Sequence, residues 1–550
     1  MSISVWRCGI SSFVFSAIVI GLSSIERSVY GATSMLNNLG LMLSKRAHLS
    51  PDIEAFVDSK TGYRQSFSQL DCRSNQTANA FLAAGIEKGE RVGLLLMNSI
   101  EFIESYYGLA KIGAVIVPLN WRLVADELEF ILKDSGTKRL IFDSEFLEVV
   151  TELQSRGKKT DVCQWLYVGS SDADPSFAEG YVAFRDAHSV EQPTISAADK
   201  DMLYIMYTSG TTGLPKGVVH THYTSIWGIL TIAATAQYFP PERYLACLPM
   251  FHVGALTPLA VNIYNGTTSV VMRSFDPVST WEVIEREKIT SALCVPAMLN
   301  FMLQVDDFDR YDRSSLRWIM VGAAPVPVSL VKEYNELGVE LLQVYGLTET
   351  CGPACLMDSK NAIKKPGSTG QAFFHTEVKI INASGEVCGP GEAGEVLVRG
   401  EHNMVEYWNR PDATRETLVD GWLHTGDIGI IDEDGFVSIQ DRIKDMIISG
   451  GENVYPAEIE DVLSSHPCIV EAAVIGQNSA HWGESPLAIV VKNNVDLTED
   501  MILEYCSGKL AKFKQPIGVR FIEQIPRNPS GKILKRVLRE NFLSEQQDKK

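Results

Sequence analysis

The sequence predicts an α/β protein in which a large amino-terminal domain of parallel sheets covered by helices precedes a small α+β domain. Three observations predict it. Short apolar runs alternate with amphipathic stretches from Met35 onward, and the pattern changes character near Asp441. The 550 residues, 45% hydrophobic and 21% charged, supply more than one core.

The elements follow in order. "RVGLLLMNS" reads as a buried strand, "IEFIESYYGLAKIG" as a helix and "AVIVPLN" as the next strand. The rhythm returns in "TSVVMRSF", "PVSTWEVIEREK" and "ITSALCVPA", then in "LRWIMVGAAP" and "VSLVKEYNELG". Strand, helix, strand at this spacing argues for parallel pairing, and ligands in such folds sit beyond the carboxyl ends of the strands. Near Asp441 the chain becomes crowded with Gly, Asp and Lys, and a helix starts at Pro456-Ala457-Glu458 with proline in its first turn. "VEAAVIGQ" and "SPLAIVVK" then read as strands, "TEDMILEYCSGKL" as a helix and "VRFIEQIP" as a strand. The expected organisation is a leader over 1–34, a large domain over 35–440 and a small domain over 441–550.

Bulk charge narrows the partners. A formal net charge of -19 repels nucleic acid backbones and anionic lipid. A phosphate-bearing ligand must therefore be held by local cations and backbone N–H groups. The 10 cysteines are scattered and fit reduced thiols in a cytoplasmic protein. His220 and His222 have no third ligand in view and read as ordinary polar residues. The apolar leader, "RCGISSFVFSAIVIGLSSIERS", fits a weak membrane anchor, a cleaved signal or an upstream extension.

The stretch "YIMYTSGTTGLPKGVVHTH", Tyr204 to His222, carries the chemistry. An apolar run gives way to Thr208, Ser209, Gly210, Thr211, Thr212 and Gly213, with Lys216 beyond. The nucleotide P-loop pattern is absent because Gly217 follows the lysine. The composition is still that of a phosphate cradle: glycines for close backbone approach (Gly217 among them), hydroxyl donors, and one cation.

Further motifs follow in order: "LPMFHVGAL", "VGAAPV", "VYGLTET", "GEVLVRG", "GWLHTGD", "DRIKDMIISGGENVYPAEIE" and "PRNPSGKILK". With the opening loop they make the chain after Met35 resemble the adenylate-forming enzymes, most nearly the bacterial medium- and long-chain fatty-acyl-CoA synthetases. The resemblance implies a two-step ligase that forms an acyl-adenylate from ATP and a fatty acid, then a thioester with CoA. It also implies a mobile small domain. Lys532 would bridge carboxylate and phosphate oxygens, Glu349 would hold Mg²⁺, and Thr348 would touch the α-phosphate. Tyr345 would stack on adenine, lined on its other side by Ala323, Ala324 and Pro325. Asp427 would take the ribose hydroxyls, and Arg442 would reach the ribose or phosphate. Gly450, Gly451 and Glu452 would border the CoA arm, and Lys444 would be the hinge. His252 would lie beside the acyl carboxylate, in a pocket shared with Gly322 and Val344. Many relatives have glycine where Val344 stands, so this pocket should be narrow near the carboxylate. Competing readings are an aryl-acid–CoA ligase and a membrane-tethered lipid-binding protein that has lost catalysis. The intact Lys532, Glu349, Asp427 and Arg442 argue against the second.

Overall fold

The computed structural model describes residues 38–169, 175–208, 214–236, 242–324, 326–449, 452–479, 483–493, 495–507, 509–527 and 533–543. The leader lies outside the described residues, as do Ser209, Gly210, Thr211, Thr212, Gly213, Pro325, Gly450, Gly451 and Lys532.

The strands read from the sequence form where they were expected. Arg91–Leu95 and Val115–Pro118 are parallel neighbours joined by the helix Ile100–Lys111. The Ser99 side chain caps that helix by accepting from the Phe102 N–H, which satisfies one of the donors a helix start leaves open. Val115–Pro118 is buried at every residue, as a strand covered on both faces must be.

Among the described residues the strands make four sheets. A nine-stranded sheet runs in the order Gln371–Ala372, Cys355–Leu356, Glu340–Tyr345, Trp318–Gly322, Ser291–Cys294, Arg243–Ala246, Thr268–Val271, Glu54–Asp58 and Arg64–Ser66. From Glu340–Tyr345 to Glu54–Asp58 it is parallel, and antiparallel strands stand only at its edges. An eight-stranded sheet starts at Glu406–Tyr407, Lys216–Thr221 and Met202–Thr208 and continues in parallel through Val115–Pro118 to Glu179–Gly180. The largest buried cluster joins Phe56 of the first sheet and Leu94 of the second to Ile229 and Leu259 on helices between them. The hydrophobic effect thus fuses both sheets into one core.

The third sheet departs from the parallel expectation. Glu377–Ile381, Gly394–Arg399, Trp422–Ile431, Leu418–Val419 and Val437–Arg442 pair antiparallel throughout. Along Trp422–Ile431 burial alternates residue by residue, the mark of a sheet with one covered face. The last strand of this sheet ends at Arg442, and the fourth sheet begins at Ile447. The fourth sheet packs the helices Pro456–Ser464 and Glu499–Ser507 over a separate core that includes Ile459, Val474, Val490 and Ile502. No described helix is long and apolar enough to cross a membrane.

Nine elements carry the candidate site: β1 (Met202–Thr208), β2 (Lys216–Thr221), α1 (His222–Thr235), α2 (Val253–Asn265), β3 (Trp318–Gly322), β4 (Glu340–Tyr345), β5 (Glu406–Tyr407), β6 (Trp422–Ile431) and β7 (Val437–Arg442).

Candidate active site

The hydroxyl- and glycine-rich loop joins two antiparallel strands. Thr208, the last residue of β1, pairs with Lys216, the first of β2, so both stand where the loop leaves the sheet. Lys216 Nζ lies 4.9 Å from the centroid of the Tyr407 ring, a cation–π distance. Gly217 meets a packing demand that its motif does not announce. A β-carbon there would stand 2.6 Å from Ile205 Cγ2 and 3.3 Å from Trp408 Cβ, so sheet packing by itself requires a residue this small.

Three motif residues far apart in the chain meet at the end of β4. The Tyr345 hydroxyl donates to Asp427 Oδ2 at 2.7 Å. Arg442 Nε lies 2.7 Å from Asp427 Oδ1, held there by the register that sets Asp427 of β6 opposite Arg442 of β7. Burial first, and the Asp427 charge second, push the Tyr345 hydroxyl above its usual range, so it remains a donor. Both carboxylate oxygens therefore have a protein donor, which fixes the plane the group presents. Ala323, next to the end of β3, is exposed with φ 67°, a left-handed conformation that costs a residue with a β-carbon roughly 1–2 kcal/mol. Ala324 follows, half-buried. Such strain collects at binding sites.

Gly322 and Val344 are register partners across β3 and β4. A β-carbon on Gly322 would stand 2.4 Å from the Val344 carbonyl oxygen and 2.8 Å from its Cγ1, so no larger residue fits opposite this valine. Val344 is half-buried and packs on the main core. His252 caps α2, its ring 4.4 Å from that of Phe251. Its Nε2 is sealed from solvent with no hydrogen-bond partner among the described residues. Burial, helped by the nearby Arg122 charge, pushes its pKa down to about 4, so the ring is neutral at physiological pH.

Thr348 and Glu349 belong to a single 3₁₀ turn, Thr348–Thr350. Glu349 Oε1 accepts the Tyr407 hydroxyl at 2.7 Å, and its other oxygen has no partner among the described residues. A carboxylate with one oxygen left open has the chemistry expected of a Mg²⁺ ligand, since Mg²⁺ keeps waters and takes few protein ligands. No described group of three or more acidic, Cys or His residues offers a fuller cage.

His220 and His222 are not the ordinary polar residues the sequence suggested, for both are fully buried. His222 Nδ1 accepts the Leu39 N–H at 3.0 Å. His220 Nε2 lies 2.8 Å from the Thr348 carbonyl oxygen. His402, also fully buried, places Nδ1 2.8 Å from the Thr350 carbonyl oxygen. Burial pushes all three down to about 4. Neither His402 nor Tyr407 was singled out by the sequence. Both reach the site because β5 pairs with β2, Tyr407 opposite Val218, a contact no local pattern announces.

Lys444 stands exposed in the turn after β7, where Asp445 and Met446 N–H groups bond the Arg442 carbonyl at 2.9 and 3.1 Å. Glu452 begins the strand Glu452–Val454, and its side chain lies outside the described part.

Comparison with known proteins agrees with this geometry. The family model for AMP-binding enzymes matches residues 43–408, and that for the AMP-binding enzyme C-terminal domain matches residues 458–532. The chain is similar to the long-chain-fatty-acid–CoA ligase FadD13 of Mycobacterium tuberculosis, 44% identical over 92% of this chain and 99% of that protein. It is similar to a feruloyl-CoA synthase of an Amycolatopsis species, 36% identical over 92% and 99%. Among solved structures it resembles the o-succinylbenzoate CoA synthetase MenE of Bacillus subtilis in complex with the acyl-adenylate intermediate. That match has a TM-score of 0.81 and 32% identity over 90% of this chain and 97% of the other.

Proposed function

The chain belongs to the AMP-binding enzyme family, and from that premise we propose that it activates a fatty acid with ATP and passes the acyl group to coenzyme A. The observation that carries this reading is the meeting of Tyr345, Asp427 and Arg442, which supports a nucleoside site at the carboxyl ends of the parallel strands.

In the first step a carboxylate oxygen attacks the α-phosphorus, and pyrophosphate leaves with the electron pair of the broken P–O bond. Two anions must approach, so the site has to offset their repulsion with cations already in place. Lys216 serves the phosphates from the edge of the loop, Arg442 the ribose side, and Lys532 the junction of carboxylate and α-phosphate. Tyr345 stacks on adenine, and Asp427 receives the ribose. Mg²⁺, when bound, neutralises charge on the triphosphate. Glu349 would hold it, with Tyr407 orienting the carboxylate. His252, neutral and with Nε2 unpaired, orients the acyl carboxylate without forming a full ion pair that would blunt its nucleophilicity.

In the second step the CoA sulfur attacks the carbonyl carbon, and AMP leaves. Gly450, Gly451 and Glu452 border the pantetheine arm, and rotation of the small domain at Lys444 withdraws Lys532 to admit it. The similarity to the fatty-acid ligase favours a fatty acid. Val344 against Gly322 favours a slender chain near the carboxylate.

Pyrophosphate release across linear, branched and aromatic acids, with and without CoA, tests the proposal. AMP with a linear acyl-CoA is the expected product. ADP with an acyl phosphate, or preference for ferulate-like acids over every fatty acid, would overturn it.

A further inference from the structure

The turn that carries Thr348 and Glu349 is held by donors from three places, one on each successive carbonyl. His220 Nε2 faces the Thr348 oxygen at 2.8 Å, the Met404 N–H donates to the Glu349 oxygen at 2.7 Å, and His402 Nδ1 faces the Thr350 oxygen at 2.8 Å. A carbonyl oxygen only accepts, so each imidazole must carry its proton on the nitrogen that faces the turn: Nε2 in His220, Nδ1 in His402. The second nitrogen of each ring is then an acceptor with a hydroxyl beside it, Thr224 Oγ1 at 3.0 Å from His220 Nδ1 and Thr376 Oγ1 at 2.8 Å from His402 Nε2. Both tautomers are thereby locked, and they are opposite.

We propose that His220 and His402 are positioning residues for adenylation, a pair of tautomer-locked donors that clamp the Thr348–Thr350 turn from both sides. They act through the backbone. With the carbonyls on both sides of Glu349 pinned, its carboxylate and the Thr348 hydroxyl present one geometry to the magnesium triphosphate. Tyr407 then fixes one carboxylate oxygen. The two rings come from different elements. His220 lies on β2, downstream of Lys216, and His402 lies on the segment that returns to β2, where Val405 and Trp408 N–H groups bond the Val219 and Gly217 carbonyls. The strand that begins with the loop lysine therefore also sets the turn that bears the metal-binding carboxylate, which couples the two halves of the triphosphate site.

A packing role predicts a different pattern of consequences. Imidazole-sized filling at these sites would tolerate any side chain of similar volume, and its loss would weaken both half-reactions alike. A donor role demands an N–H in the right place. His220→Gln puts an amide N–H near the former Nε2 and His402→Asn puts one near the former Nδ1, whereas His220→Asn and His402→Gln put it in the wrong place.

The inference rests on the ATP-dependent ligase reading, and its test separates the two. Wild type and these four variants, with His220→Leu and His402→Leu, are titrated calorimetrically with ATP in the presence and absence of Mg²⁺. Pyrophosphate release and thioester formation from supplied acyl-adenylate and CoA are then measured. The leucine variants are expected to lose about 10–100-fold in Mg²⁺-dependent ATP affinity and in pyrophosphate release, the usual scale for outer-shell partners of a metal ligand. Their thioester formation, which keeps the α-phosphate near Thr348 but needs no magnesium triphosphate, is expected to fall by a clearly smaller factor. His220→Gln and His402→Asn should recover most of the loss, and the crossed amides should not. Equal loss in both half-reactions, wild-type behaviour of the folded leucine variants, or equal rescue by matched and crossed amides would each overturn the clamp. If the leucine variants do not fold, the matched and crossed amides decide alone. If wild type releases pyrophosphate with no acid, the ligase reading fails, and the calorimetric arm still reads the clamp.

Discussion

Asp427 and Arg442 face one another across the β6–β7 ladder, Oδ1 2.7 Å from Nε, while the Tyr345 hydroxyl takes the other oxygen. The carboxylate side chain is 5% exposed. An ion pair this sheltered gives little net stability, since desolvation offsets its Coulomb attraction. Its value is orientation: both carboxylate oxygens are held in one plane by donors from two other strands.

Tyr345 tests whether ring or hydroxyl matters more. Tyr345→Phe keeps the face for adenine and removes one hydrogen bond, so KM for ATP should rise only about 2- to 10-fold. Tyr345→Leu removes the face as well. Stacking of a base on an aromatic ring is worth about 1–3 kcal/mol, so that variant should lose roughly 5- to 150-fold in ATP affinity. Steady-state kinetics with ATP varied at saturating acid decides. Equal losses in the two variants would show that the ring does not stack.

Val344 tests acid selection. Val344→Gly should widen the site near the carboxylate at a stability cost of about 1–2 kcal/mol for the lost packing. The ratio of kcat/KM for ferulate-like acids over fatty acids should rise about 10-fold or more. An unchanged ratio would place the selective contact elsewhere.

Lys532→Ala separates the half-reactions. Losing one preorganised electrostatic contact costs on the order of 10²–10³ in rate, and pyrophosphate release should fall by at least that. Thioester formation from supplied acyl-adenylate and CoA should persist. Loss of both activities in a folded variant argues against rotation of the small domain.

Asp143 gives a pH signature in stability. Its carboxyl accepts the Met97 N–H at 2.6 Å and lies 3.1 Å from Arg273, yet burial outweighs both and pushes the pKa from 3.8 up to about 7. The folded state therefore keeps a proton that the unfolded chain releases above about pH 4, so stability falls as pH rises from about 4 to 7 and is flat beyond. The span corresponds to about 4 kcal/mol at most. Asp143→Asn keeps an acceptor for Met97 and removes the charge. The melting temperature of wild type relative to this variant should fall across that window, and a difference that does not vary with pH would sink the assignment.

Much of this architecture was legible because it rests on local signals. Pro456 opened the small-domain helix where proline is tolerated, and the run Val115–Pro118 was apolar because both its faces are covered. Motif spacing likewise led to Tyr345, Asp427 and Arg442. What stayed hidden was long-range. Tyr407 is 58 residues from Glu349 and His220 is 128 from Thr348, and nothing in either neighbourhood signals the pairing. The antiparallel third sheet was hidden too, since its strands alternate like ordinary half-buried segments and only their partners reveal direction. The packing demand at Gly217 stayed hidden because sheet packing and phosphate approach call for the same small residue.

The return of β5 to β2 also bears on how the enzyme comes into being. Residues 402 to 408 supply His402, Met404 and Tyr407, so the Thr348–Thr350 turn has all its contacts only after this segment has docked on a strand made almost two hundred residues earlier. Chains are synthesised from the amino terminus at about 5–20 residues per second, so roughly 10–40 seconds separate the two strands on the ribosome. During that interval Lys216 and its strand exist without the segment that joins them to the Thr348–Thr350 turn. On the proposed reading, a growing chain lacks a finished Thr348–Thr350 turn until its large domain is nearly whole, and it lacks the junction cation until Lys532 has followed.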